Sequence, residues 1–81
     1  MRRVIKFYAD WCKPCKVLTN TLKEIQTDVL IEDVNIDDKF EVAQEFGIRG
    51  VPTMVMLDEN TEVKRKTGLL NKTELEAWLN G

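Results

Sequence analysis

The run Arg3-Val4-Ile5-Lys6-Phe7-Tyr8-Ala9-Asp10-Trp11-Cys12-Lys13-Pro14-Cys15-Lys16 decides the fold. From about Arg3 to Ala9 it is rich in Val, Ile, Phe and Tyr, which suits a buried strand. Pro14 then stands where the first turn of a helix tolerates a missing N–H. Cys15, Leu18, Leu22 and Ile25 recur at helical spacing along one face, and Thr27-Asp28 marks the expected end of that helix.

Working outward, Val29 to Ile36 reads as a second strand, with Val29, Leu30, Ile31, Val34 and Ile36 apolar. A short helix is expected over Lys39 to Phe46, capped by Asp37 or Asp38, with Phe40, Ala43 and Phe46 inward and Gly47 as a left-handed stop. Gly50-Val51-Pro52-Thr53 forms a loop into a strand over Thr53 to Leu57. Asp58-Glu59-Asn60 supplies hairpin chemistry, and Thr61 to Thr67 returns. Lys64, Arg65 and Lys66 mark that returning strand as an edge protected against pairing. Asn71 and Glu74 form a capping box before the last helix, with Leu70 and Leu75 as its staple and Leu75, Trp78 and Leu79 towards the core. The order β-α-β-α-β-β-α predicts an α/β fold with a mixed four-stranded sheet flanked by helices.

The whole chain has 81 residues, which reads as one domain over 1–81, with 43% hydrophobic and 32% charged residues. A domain of this size buries only roughly 60–65% of its unfolded surface. The net charge of −2 has both signs interspersed, giving no reason to expect nucleic-acid binding or attraction to anionic membranes. No apolar run reaches membrane-span length. Lys6 interrupts any export h-region near the N-terminus, so a reducing, cytoplasmic location is expected. There, a Cys-x-x-Cys pair reads as catalytic or metal-binding rather than as a structural staple.

Thiol–disulfide exchange needs an attacking thiolate and a second thiol close enough to resolve the mixed disulfide. Cys12, just before the helix, lies where unpaired N–H groups and the dipole stabilise negative charge, and Lys13 and Lys16 add to that field. Cys15, one turn on, is expected to be the more buried. The chain has no histidine, which excludes a Cys–His nucleophile. The alternative is half of a metal site: structural zinc wants four ligands, so two chains would have to share one ion.

Trp11-Cys12-Lys13-Pro14-Cys15-Lys16 after a strand, with Gly47-Ile48-Arg49-Gly50-Val51-Pro52-Thr53 downstream, resembles the thioredoxin family. Asn35-Ile36-Asp37 and Thr67-Gly68 match as well, so the resemblance runs through most of the chain. It implies the thioredoxin fold, a cis Val51–Pro52 bond facing the cysteines, and a redox-active Cys12–Cys15 disulfide with no other cofactor. It also implies a client-binding surface from Trp11, Gly50, Val51, Pro52 and Gly68, onto which an extended segment would add as a strand. The implied partners are disulfide-containing client proteins and a thioredoxin reductase, with the protein a monomer in cellular electron transport and redox homeostasis. A glutaredoxin-like protein recycled by glutathione is the rival reading, although Thr67-Gly68-Leu69 departs from the Gly-Gly element usual there.

Three departures from the family stand out. The chain starts directly at the strand before the motif, without the usual leading strand and helix, so a trimmed version closer in size to glutaredoxin is expected. Lys13 occupies a position where Gly is usual, which predicts a more oxidising couple. Lys6 and Asp33 stand where the family carries Asp and Lys respectively, so the charges are exchanged. Either they face one another beneath the cysteines, with Asp33 accepting the proton of Cys15, or both are solvated. Lys13, Pro14, Lys6 and Asp33 are thus the residues expected to modulate the pair.

Overall fold

The computed structural model describes residues 1–81 as β1 (Arg2–Tyr8), α1 (Lys13–Leu22), β2 (Leu30–Asn35), α2 (Phe40–Glu45), β3 (Thr53–Asp58), β4 (Thr61–Thr67) and α3 (Lys72–Asn80). The element order agrees with the sequence reading. The strands form one sheet in the order β2-β1-β3-β4, with β1 parallel to β2 and antiparallel to β3. The hairpin β3–β4 closes through Glu59 and Asn60, both at positive φ as a tight two-residue turn requires.

Alternation along the central strands divides the core into two layers. Val4, Met54 and Met56 pack with Leu18 and Ile25 and with Leu75 and Leu79 of α3. Ile5, Phe7, Val55 and Leu57 pack on the other face against Ala43 of α2, with the Phe46 ring tilted against Phe7 at a centroid distance of 5.6 Å. Each fully buried aliphatic or aromatic side chain contributes about 1.5–3 kcal/mol, so continuous burial on both faces makes β1 and β3 the stable centre. The edges differ from this. β4 is exposed and basic, while β2 leaves Leu30 and Asp33 open at the other rim and buries none of its residues fully.

Capping follows the sequence closely at α3. Asn71 accepts from the Glu74 N–H at 2.8 Å, and the Glu74 side chain accepts from the Asn71 N–H at 3.1 Å. This reciprocal cap satisfies two of the orphan donors at the helix start. Leu70 packs against the same core cluster as Leu75, as a staple demands.

Two local expectations are corrected. Helix α1 ends at Leu22 rather than near Thr27-Asp28, and the chain tightens into three-residue turns, Glu24 N–H to Thr21 and Ile25 N–H to Leu22. Thr19, Asn20 and Thr21 are successive poor helix formers, and the Thr21 hydroxyl donates back to the Val17 carbonyl at 3.1 Å. Ile25 still reaches the core through the turn. The second correction concerns α2, which starts at Phe40 with Lys39 as N-cap and no side-chain cap. Asp37 and Asp38 do not cap it: the Asp37 carboxylate instead accepts the Trp11 indole N–H, and the turn before the helix closes by the Lys39 N–H donating to the Asn35 carbonyl. Phe40, in the first helical position, consequently points outward and is 62% exposed.

Candidate active site

The β1–α1 connection holds the cysteines. Cys12 is the N-cap of α1, with extended backbone, and its Sγ accepts the Cys15 N–H at 3.2 Å. A sulfur in this place takes a bond from a helix N-terminus, where orphan N–H groups and the dipole favour an anion. Cys12 and Cys15 are joined as a disulfide with Cα atoms 5.3 Å apart. The expected difference in burial between them is absent: they are 4% and 3% exposed. The covalent link draws Cys12 against Cys15 and Ala9, and Tyr8, Ile36 and Val51 pack around this small cluster.

The Val51–Pro52 bond is cis. Pro52 is buried, and its carbonyl accepts the Gly68 N–H at 2.9 Å. Gly68, at φ +95, thus meets the site through Pro52, and its need for glycine is conformational, since a Cβ there would meet nothing. Thr53 fastens the same loop, donating to the Gly50 carbonyl at 2.7 Å and lying 3.1 Å from the Thr67 hydroxyl. A largely apolar groove of about 360 Å³ runs beside the disulfide, walled by Trp11, Phe40, Ile48, Gly50 and Val51. Trp11, 68% exposed, donates its indole N–H to Asp37 Oδ2 at 3.0 Å.

The structure therefore brings Cys12, Cys15, Trp11, Gly50, Val51 and Pro52 together, with Gly68 one hydrogen bond behind. Lys13 and Pro14 occupy the exposed first turn of α1. Lys6 and Asp33 are register partners on β1 and β2, and Lys6 Nζ lies 3.2 Å from Asp33 Oδ1. They form a pair, but only half of it is buried: the Lys6 side chain is 4% exposed and that of Asp33 58%. The edge position of β2 explains this, because nothing beyond it covers Asp33.

Sequence reasoning missed Asp37, Phe40 and Ile48 as parts of the groove, and Thr19 as the hydroxyl that accepts from Lys6 Nζ at 2.5 Å. A signal for Thr19 existed, since it follows Cys15 by four residues on the same helix face. No group of three or more His, Cys, Asp or Glu side chains is arranged to hold a metal ion. No helix is long and apolar enough to cross a membrane.

Comparison with known proteins bears directly on this geometry. A family model described as Thioredoxin matches residues 1–81. A thioredoxin of Chlamydia caviae is 39% identical over 80 residues, covering 95% of this chain and 78% of that protein. A thioredoxin of Rickettsia bellii is 35% identical over 81 residues, with 95% and 77% covered. Among solved structures, a mutant thioredoxin from Halobacterium salinarum superposes with a TM-score of 0.91 at 31% identity, covering 98% of this chain and 72% of that one.

Proposed function

This chain belongs to the thioredoxin family and is a thiol–disulfide oxidoreductase acting on protein disulfides, and from that premise we propose a role for each site residue. Cys12 is the nucleophile. Its thiolate attacks one sulfur of a client disulfide, forming a mixed disulfide and releasing the other client sulfur as a thiolate, which takes a proton from water. Cys15 then attacks Cys12, freeing the second client sulfur and closing the Cys12–Cys15 disulfide. The client gains two electrons and the protein loses them. One observation carries this assignment: Cys12 Sγ sits at the N-terminus of α1 and accepts a backbone N–H there, the environment that favours a thiolate.

The client binds as an extended segment along Trp11, Gly50, Val51 and Pro52, with Gly68 supporting the proline loop. The cysteine pair is the only redox group this cycle uses. Lys13 and Pro14 tune the nucleophile, Lys13 through its charge and Pro14 by restraining the first helical turn. Lys6 and Asp33 modulate Cys15, with Asp33 at the solvent rim accepting its proton. The protein works as a cytoplasmic monomer in electron transfer that maintains redox homeostasis, with client proteins on one side and a thioredoxin reductase on the other.

Turnover of an insulin-type disulfide substrate tests the reading, with electrons supplied either by thioredoxin reductase or by glutathione and glutathione reductase. Activity with the first source is expected, loss of it in Cys12→Ser, and a trapped mixed disulfide in Cys15→Ser. Activity with neither source, or retained activity in Cys12→Ser, would overturn the reading. Efficient turnover with glutathione alone would move the partner to the glutathione system. Slower resolution of a mixed disulfide in Asp33→Asn, with little change in stability, is expected for the proton acceptor, and an unchanged rate counts against it.

A further inference from the structure

Lys6 is the one charged residue among the buried ones. It lies on the face of β1 shared by Val4, an apolar layer in which an ammonium is costly unless its donors are satisfied. Its Nζ donates to Thr19 Oγ1 at 2.5 Å, pairs with Asp33 Oδ1 at 3.2 Å, and stands 5.9 Å from the Tyr8 ring centre. An ammonium has donors only, so the Thr19 oxygen is the acceptor in this bond and its own proton points elsewhere.

That proton is not used by the helix. Thr21 returns its hydroxyl to the Val17 carbonyl, whereas Thr19 makes no such bond to the carbonyl four residues back. Thr19 and Cys15 are four residues apart on α1, where side chains on one face have Cβ atoms about 5–6 Å apart. Both line a single cleft of about 390 Å³ with Tyr8, Asp10 and Lys16. The hydroxyl proton of Thr19 therefore has the cleft beside Cys15 to point into.

We propose that in the reduced protein Thr19 donates its hydroxyl proton in a hydrogen bond to the Cys15 thiolate, polarised from behind by the Lys6 ammonium. Lys6 and Thr19 are positioning residues for the resolving step and transfer nothing themselves. The Cys15 thiol loses its proton towards the solvent rim, where Asp33 stands, and the thiolate waits under the Thr19 hydroxyl. It attacks Cys12 Sγ of the mixed disulfide; the Cys15–Cys12 bond forms, the Cys12–client bond breaks, and the client sulfur leaves with the electron pair and is protonated by water. Among the other charges at the cleft, Lys16 on α1 acts in the same direction as Lys6. Asp10, before the helix, opposes it, and Tyr8 on β1 contributes its ring face. The inference rests on Cys15 being the resolving thiol.

The test titrates Cys15 alone, in a Cys12→Ala background, by the ultraviolet absorbance of the thiolate. Thr19→Val is expected to raise the titration midpoint by about one unit and Thr19→Ser to restore it. Lys6→Met is expected to raise it by about one to three units, the range for loss of a nearby opposite charge. An unmoved midpoint in Thr19→Val, or a shift in Thr19→Ser equal to that in Thr19→Val, would overturn the proposal. If Lys6→Met fails to fold by circular dichroism, the two Thr19 variants decide the matter by themselves. The titration needs no client, so its failure is distinct from failure of the redox assignment, which Cys15→Ser trapping reads separately.

Discussion

The indole N–H of Trp11 donates to Asp37 Oδ2 at 3.0 Å, fastening the residue before Cys12 to the turn that follows β2. The bond spans two connections that only the sheet brings together, and it sets one wall of the groove beside the disulfide. Because both partners are exposed, it contributes little to overall stability; in the proposed role of Trp11 it holds the ring in place for a client. Asp37→Ala is expected to raise KM for a protein disulfide substrate roughly two- to tenfold, the equivalent of one net hydrogen bond. Unfolding should be nearly unchanged. Steady-state kinetics beside a thermal melt checks this; an unaltered KM would remove Asp37 from the site.

Lys13 lies in the exposed first turn of α1 and has no ion-pair partner, so its charge is free to act on Cys12 through solvent. In the proposed tuning role that charge stabilises the thiolate and hence the reduced form, which makes the couple more oxidising. Lys13→Gly should lower the redox potential, by no more than about 30 mV because the field is screened by water. Equilibration of both proteins with a glutathione buffer gives the comparison. A mutant potential equal to or above the parent would refute the effect.

Leu18 is fully buried where α1 meets the sheet and α3, in the same cluster as Val4, Met54, Met56, Leu75 and Leu79. Leu18→Ala leaves a cavity in both directions and should cost about 2–5 kcal/mol. Total stability for domains is typically about 5–15 kcal/mol, so the variant should melt far lower or fail to fold. Urea denaturation measures the loss. A cost below about 1 kcal/mol would mean that the layer collapses around the gap.

Glu62 receives two hydrogen bonds from Arg65, at 2.6 and 2.7 Å, on the edge strand β4. The Arg65 guanidinium holds its carboxyl below the ordinary value of 4.5. A carboxyl depressed in the folded state adds stability that is fully present above its unfolded value and disappears as pH falls through the folded one. Both side chains are about a third exposed, so water screens the pair and Glu62→Gln should cost at most about 1 kcal/mol at neutral pH. The gap between the two proteins should close as the solution is acidified below pH 4.5. Melts across that range provide the check; a gap that persists at low pH would show that packing rather than charge is responsible.

The sequence by itself determined the element order, the redox pair and its strand–helix setting, the α3 capping box and the left-handed Gly47. These are local matters: periodicity, cap chemistry and turn residues act within a few positions of one another. The family pattern added the cis Val51–Pro52 bond and the loop beside the cysteines. Tertiary structure decided what depends on which strand lies next to which. Lys6 and Asp33 pair as register neighbours, but only Lys6 is buried, since β2 ends the sheet and leaves Asp33 uncovered. Phe40 belongs to the groove and not the core because α2 begins one residue later than its acidic neighbours implied. Thr19 follows Cys15 by one helical turn in sequence, but only the packing of α1 on β1 puts a buried ammonium behind its hydroxyl. Sequence spacing gives helix neighbours, whereas the charge beneath them comes from a strand that only folding sets in place.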